Sequence, residues 1–200
     1  MKRVQQIVEY LNTNPNAVIL FRSSDMILNN HSDASYLSAG NSRSQAGGYF
    51  FMGSLPCEGK PIHLNSNIAF TCAILKLVAS SAAEVELGAL FLNTKEARIV
   101  RLTLAELGHP QTQTPIHIDN TTAVIILNNT IKRQQSRTME MRSFWLLEQE
   151  TNKYSKFYYQ PGQEKFGRLP LQGPHRIHTY PRASILLTHG KLNKFTNSRS

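Results

Sequence analysis

Residues 82–107 carry one unbroken helical pattern, the longest regular feature of the chain. Leu87, Leu90, Phe91, Thr94, Ala97, Arg101 and Leu104 recur every three or four residues, which lines one face of an α-helix. Gly108-His-Pro110 closes the run, because glycine ends helices readily and proline cannot continue one. A helix this long needs a broad apolar surface to lie on, and the flanking segments read as strands. Met26, Leu28 and Asn30 alternate with Ile27, residues 49–52 form a second strand, and strand-like runs lie near 62–64 and 73–78. After the helix come a strand at 115–119, a helix at 120–128, a basic connector at 131–137, a helix at 138–150 and a strand at 156–159. A meander feeding helix–strand alternation predicts an α/β fold with a mixed sheet and helices on its faces.

Ahead of this body, Val4, Ile7, Val8 and Leu11 mark a short amphipathic helix over residues 3–11. Residues 17–21, Ala-Val-Ile-Leu-Phe, read as a short strand and are far too short to span a bilayer. With 200 residues, 40% hydrophobic and 18% charged, the chain can build one domain around a real core. Met1-Lys-Arg-Val-Gln-Gln6 turns polar at once, unlike a secretion signal, and Cys57 and Cys72 lack metal-site spacing. These features predict an intracellular protein, cytoplasmic or nuclear, with reduced thiols and no membrane partner. The net charge of +9 and pI near 9.8 invite a nucleic-acid reading. Yet seven of the 22 Lys/Arg and one of the 13 Asp/Glu lie beyond residue 162, so the basicity is concentrated in a C-terminal segment.

The carboxylates carry more. Asp33 stands where the first strand leaves the core, and Asp119 ends the strand after the long helix. Between them, Ser80-Ser-Ala-Ala-Glu-Val-Glu-Leu87 opens that helix with Glu84 and Glu86, which point about 200° apart around its axis. Only one of them can face the strand ends, and periodicity does not choose between them. One Asp from each of two strands plus one Glu from a packed helix makes a set of hard oxygen ligands suited to Mg²⁺ or Mn²⁺. Surface carboxylates at caps and turns are the plainer alternative.

Other residues are less directive. His117 and Asp119 share a strand face, but two ligands do not make a metal site, so His31, His63 and His117 read as core or surface histidines. Trp145 with Met139 and Met141 reads as core packing. Lys132, Arg133 and Arg137 suit phosphate contacts, which add affinity without sequence choice, or form a solvated connector. The Gly/Ser-rich stretch 38–48 reads as a flexible loop, not a phosphate loop, since it lacks a Gly-Lys-Ser/Thr ending.

In this order, Ser32-Asp-Ala-Ser-Tyr36, Ser80-Ser-Ala-Ala-Glu-Val-Glu-Leu87 and Ile118-Asp-Asn-Thr-Thr-Ala123 resemble the ribonuclease H domain of copia-type LTR retrotransposon polyproteins. Arg43-Ser-Gln-Ala-Gly-Gly48, Met139-Glu-Met-Arg142 and Phe157-Tyr-Tyr-Gln-Pro-Gly162 also look like that family. Residues 1–11 resemble the tether that joins a reverse transcriptase to the domain. The resemblance covers about residues 1–163 and implies a ribonuclease H-like fold, a five-stranded mixed sheet with an antiparallel meander, parallel strands and helices on both faces. It also implies Mg²⁺-dependent hydrolysis of the RNA strand of RNA–DNA hybrids, with two ions in the intact site. By position, Asp33, Glu86 and Asp119 match the family's catalytic, metal-holding acids, leaving Glu84 as a helix-start residue. The implied partners are the hybrid and a reverse transcriptase domain, with Lys132, Arg133 and Arg137 as candidate nucleic-acid contacts.

The likeness stops after Gly162. The family continues with Asn-Leu-Ala-Asp-Tyr, whose Asp is a fourth acid, whereas this chain reads Gln163-Glu-Lys-Phe-Gly-Arg-Leu169. Codons for Lys165-Phe-Gly-Arg-Leu169, read one base later, can spell Asn-Leu-Ala-Asp, so a frameshift near Lys165 is expected. The expected organisation is a tether at 1–24, a ribonuclease H-like domain at 25–163 and a non-homologous, disordered tail at 164–200. With one ligand lost, the expectation is impaired activity or a catalytically dead relic that at most binds nucleic acid.

Overall fold

The computed structural model describes residues 2–16, 19–57, 65–119 and 137–160. The chain divides into two units: Met1–Phe21 with Gly173–Ser200, and the body, Arg22–Gln172. In the first, α1 (Lys2–Thr13) is the expected amphipathic helix, closed by the Thr13 hydroxyl donating to the carbonyls of Glu9 and Tyr10. The strand expected over 17–21 is not formed at its described residues, since 19–21 belong to no ladder and Ile19 and Phe21 are exposed. An apolar run has the composition of a strand, but without a pairing partner it gains no ladder.

The body is built on β1 (Ile27–Ala39), β2 (Arg43–Gly53), β3 (Asn67–Ile74), β4 (Thr114–Ile118) and β5 (Ser155–Tyr159), in sheet order β3-β2-β1-β4-β5. β1, β2 and β3 form an antiparallel meander, while β4 pairs in parallel with both β1 and β5. This is the five-stranded mixed sheet expected from the sequence, an antiparallel meander joined to parallel strands. The connections are α2 (Ala82–Glu106), between β3 and β4, and α3 (Arg137–Thr151), ahead of β5.

α2 starts and stops as its sequence dictates. The Ser81 hydroxyl accepts from the Glu84 N–H at 3.3 Å, and the Glu84 carboxylate accepts from the Ser80 N–H at 2.6 Å, a reciprocal cap on the first turn. At the far end Gly108 takes φ 86°, and the N–H groups of Gly108 and His109 close onto Ala105 and Leu104. Between these ends, Leu87 and Leu90 meet Ile116, Ile118 and Leu146, while Ala97 meets Leu28, Phe50 and Met52. Full burial of each large aliphatic side chain contributes about 1.5–3 kcal/mol. α3 shares that face of the sheet through Leu146, and Trp145 stands edge-on to Phe91 at 5.0 Å, so Trp145 is core packing as expected. The helix expected over 120–128 and the strand expected over 62–64 lie outside the described residues.

Three expectations are corrected. β1 does not end at Asp33 but runs on to Ala39. The stretch 38–48 is not a flexible loop: it is mostly β2 and the end of β1, joined by a tight turn in which Asn41 and Ser42 take positive φ. Its small residues allow close packing beneath a helix, as the site below makes plain. The third strand is 67–74 rather than 73–78: its alternation carries on to Leu75, which packs against Val85 and Ala89 and donates to the Ser44 carbonyl at 2.9 Å.

Near the base of the sheet, burial raises the Glu150 carboxyl above its ordinary value, with Lys156 and the Phe157 N–H partly opposing. A raised carboxyl value means the folded chain favours the protonated form, so this group lowers stability at neutral pH and the loss fades on acidification. Glu150→Gln should therefore melt higher than the wild type at pH 7, and the gap should close as pH falls through the raised value in a thermal-melt series. A variant that melts lower at pH 7 would contradict this.

Candidate metal centre

Strand parity sets up the site. Leu28, Ser32 and Ala34 of β1 face α2, so Asn29, His31 and Asp33 face the other way. β1 and β4 are in parallel register at Asn30↔Ile116 and His31↔His117. Two residues further along each chain, on the same face as the paired histidines, stand Asp33 and Asp119. Asp33 lies within β1 opposite Gly47 of β2, and Asp119 is the residue immediately after β4.

The third acid comes from α2. Glu84 is engaged in the helix cap, and Glu86, between the buried Val85 and Leu87, turns its carboxylate to the two aspartates. One carboxylate oxygen from each of Asp33, Glu86 and Asp119 lies within 4.8 Å of the others. Asp33 is only 3% exposed. The structure thus brings together the three acids expected from the sequence and separates the two glutamates that periodicity left open.

The floor of the site is buried and aromatic. His31 and His117 are buried with rings 4.8 Å apart, His117 stacks on Tyr158 at 5.6 Å, and His31 stands edge-on to Phe51 at 5.4 Å. His117 Nε2 lies 3.5 Å from Asn29 Oδ1 within this buried layer. Burial pushes the nearby Tyr49 hydroxyl up to about 12, and it donates to the Asn65 carbonyl at 2.9 Å, so Tyr49 stays neutral.

Three carboxylate oxygens suit a small hard cation. An octahedral Mg²⁺ with bonds of about 2.0–2.1 Å places its ligand oxygens roughly 3 to 4 Å apart, which a small inward adjustment of this cluster supplies. The donor set therefore fits Mg²⁺ or Mn²⁺ and holds no soft ligand that would select zinc or copper. Of the expected phosphate-contact residues, Lys132 and Arg133 lie outside the described residues, and Arg137 opens α3.

Sequence reasoning missed Asn93. This fully buried side chain of α2 donates from Nδ2 to Ser32 Oγ and to the Gly47 carbonyl, each at 2.8 Å. A Cβ on Gly48 would come within 2.4 Å of Asn93 Oδ1. The signal was present, since a polar residue two helical turns after Glu86 interrupts an otherwise apolar face.

No protein-family model and no curated protein matches the chain. Solved structures similar to it include LC11-RNase H1 in complex with an RNA/DNA hybrid, at 11% identity and TM-score 0.48 over 68% of this chain and 87% of that one. Another is RNase H1 from the halophilic archaeon Halobacterium salinarum, at 14% identity and TM-score 0.44 over 68% and 86%. The N-terminal RNase H domain of a Mycobacterium tuberculosis protein aligns at 10% identity and TM-score 0.40 over 67% and 85%.

Proposed function

We propose that this chain is a retrotransposon-derived, ribonuclease H-type domain whose chemistry is divalent-metal-dependent hydrolysis of the RNA strand of an RNA–DNA hybrid. The observation that carries the reading is the convergence of Asp33, Glu86 and Asp119 from two strands and a helix within 4.8 Å. These three acids would hold the cation. When bound, Mg²⁺ supplies a Lewis acid and lowers the pKa of a coordinated water. The protein's own part is placement. β1 and the end of β4 present two carboxylates from neighbouring strands, and the capped start of α2 presents the third, above the buried histidines. Held on regular elements, the ligands need little reorganisation.

The copia origin rests on the order and spacing of the motifs, and it makes a reverse transcriptase domain the natural partner. Coding DNA that reads Asn-Leu-Ala-Asp in the adjacent frame near Lys165 would support that origin, and any other reading there would remove the frameshift. Lys132, Arg133 and Arg137 are assigned to hybrid phosphates, and binding through them should weaken as salt rises. Among the described residues no helix is long and apolar enough to cross a membrane.

One observation favours a second reading, a non-catalytic relic that only binds nucleic acid: the segment after Gly162 lacks the family's fourth acid. A labelled RNA–DNA hybrid in Mg²⁺ separates the two. We expect slow cleavage of the RNA strand by the wild type, abolished by EDTA and reduced about a hundredfold or more in Asp119→Asn. Salt-sensitive binding without cleavage would transfer support to the relic.

A further inference from the structure

We propose that Asn93 is a positioning residue that sets the separation of Glu86 and Asp33 for cation binding; the inference rests on the metal reading above. Asn93 lies seven residues, or about two turns, beyond Glu86 on the same face of α2. Its two hydrogen bonds end on the two backbone neighbours of Asp33: Ser32, which precedes it, and Gly47, which lies opposite it on β2. One carboxamide thus ties the helix that bears one acid to the strand that bears another and to the strand paired with it.

A plainer role would be to hold α2 on the sheet, but that task is already met by hydrocarbon. Leu28, Phe50, Met52 and Ala97 pack below Asn93, while Ala46, Val85 and Ala89 pack above it. Apolar contact is non-directional and tolerates a helix sliding along its axis. Two 2.8 Å hydrogen bonds from a single amide do not. Burying a carboxamide is costly, the more so here because Asn93 Oδ1 has no hydrogen-bond partner, so its place is better explained by the register that Nδ2 enforces. Gly48 matches this arrangement, since only a residue without a Cβ leaves room for Asn93 Oδ1.

The test is Mn²⁺ binding by the full chain, read by isothermal titration and by the Mn²⁺ electron paramagnetic resonance signal, without substrate. Asn93→Ala should weaken Mn²⁺ at least tenfold, as loss of groups that orient ligands does. Ala97→Gly loosens the same helix without touching Ser32 or Gly47, and its Mn²⁺ affinity should stay within about twofold of wild type. Ser32→Ala removes one of the two bonds and should cost about threefold, with little further loss when added to Asn93→Ala. If Asn93→Ala does not fold, Ser32→Ala against Ala97→Gly decides the matter alone. Unchanged affinity in Asn93→Ala, or an equal loss in Ala97→Gly, overturns the inference and leaves the metal reading standing. A wild type that does not bind Mn²⁺ overturns both.

Discussion

Gly48→Ala should be among the most damaging single-methyl additions this chain can receive, costing about 3 kcal/mol and lowering Tm by about 6–12 °C. The new Cβ would lie 2.4 Å from Asn93 Oδ1, 2.9 Å from its Cγ and 3.2 Å from Phe50 Cε2. Asn93 cannot yield cheaply, because turning its amide away breaks both bonds and strands buried groups at roughly 1–3 kcal/mol each. The strands cannot yield either, since Gly48 is paired to Ser32 on one side and Thr71 on the other. Gly88→Ala is the informative comparison. Its Cβ would also meet an atom at 2.4 Å, but that atom is the Cδ2 tip of half-buried Leu77, which can rotate. Alanine also favours the helix by about 1 kcal/mol, so Gly88→Ala should move Tm by only a few degrees. Thermal melts of both variants, with Gly48→Ala/Asn93→Ala as a partial rescue, check the argument. A Gly48→Ala protein melting within a degree of wild type would refute it.

The second large effect reverses sign with the metal. In EDTA, Asp33→Asn should melt higher than the wild type by about 2–4 °C, and in saturating Mg²⁺ it should melt lower. Three carboxylates with oxygens within 4.8 Å repel, by roughly 3.5 kcal/mol per charged pair at that distance in an effective dielectric of about 20. Local hydrogen bonds and solvent screening offset much of this, leaving a net gain of about 1 kcal/mol when one charge is removed. Asparagine keeps the volume of aspartate, exchanging one acceptor oxygen for a donor, so packing stays the same. With cation present at about 100 times its Kd, the wild type gains about 2.7 kcal/mol from ligation and the variant gains little. Differential scanning calorimetry in the two buffers reads both halves. A variant stabilised by Mg²⁺ as much as the wild type would remove Asp33 from the ligand set.

How much of this was legible in the sequence differs by feature. α2, its stop at Gly108, β4, α3 and β5 follow from apolar period and punctuation, because packing there agrees with local preference. The choice of Glu86 over Glu84 was not legible from helix geometry and came from the resemblance to a family. The physical reason is local: Glu84 sits three residues after Ser81 and is taken by the cap. The segment 38–48 misled because Gly and Ser suggest freedom when considered alone. Here they provide clearance for Asn93, a residue far away in sequence. The described part of the apolar run, 19–21, misled in the opposite sense, since composition does not decide which residues join a sheet. Long-range contacts of this kind leave a trace in sequence only as residues that fit their local pattern badly.

The register of β1 against β4 has a further consequence, which concerns how such a chain decays. Side chains on a strand alternate, so a one-residue deletion in β1 ahead of Asp33 would move it into the place of Ser32 and bring Ala34 into its own. Asp33 would then point into the apolar layer beneath α2, and an alanine would face Glu86 and Asp119. Substitutions can erode the cluster by degrees, but a length change there acts as a parity error. A length change in the turn at 40–42, which lies outside both strands, would leave that parity at Asp33 untouched.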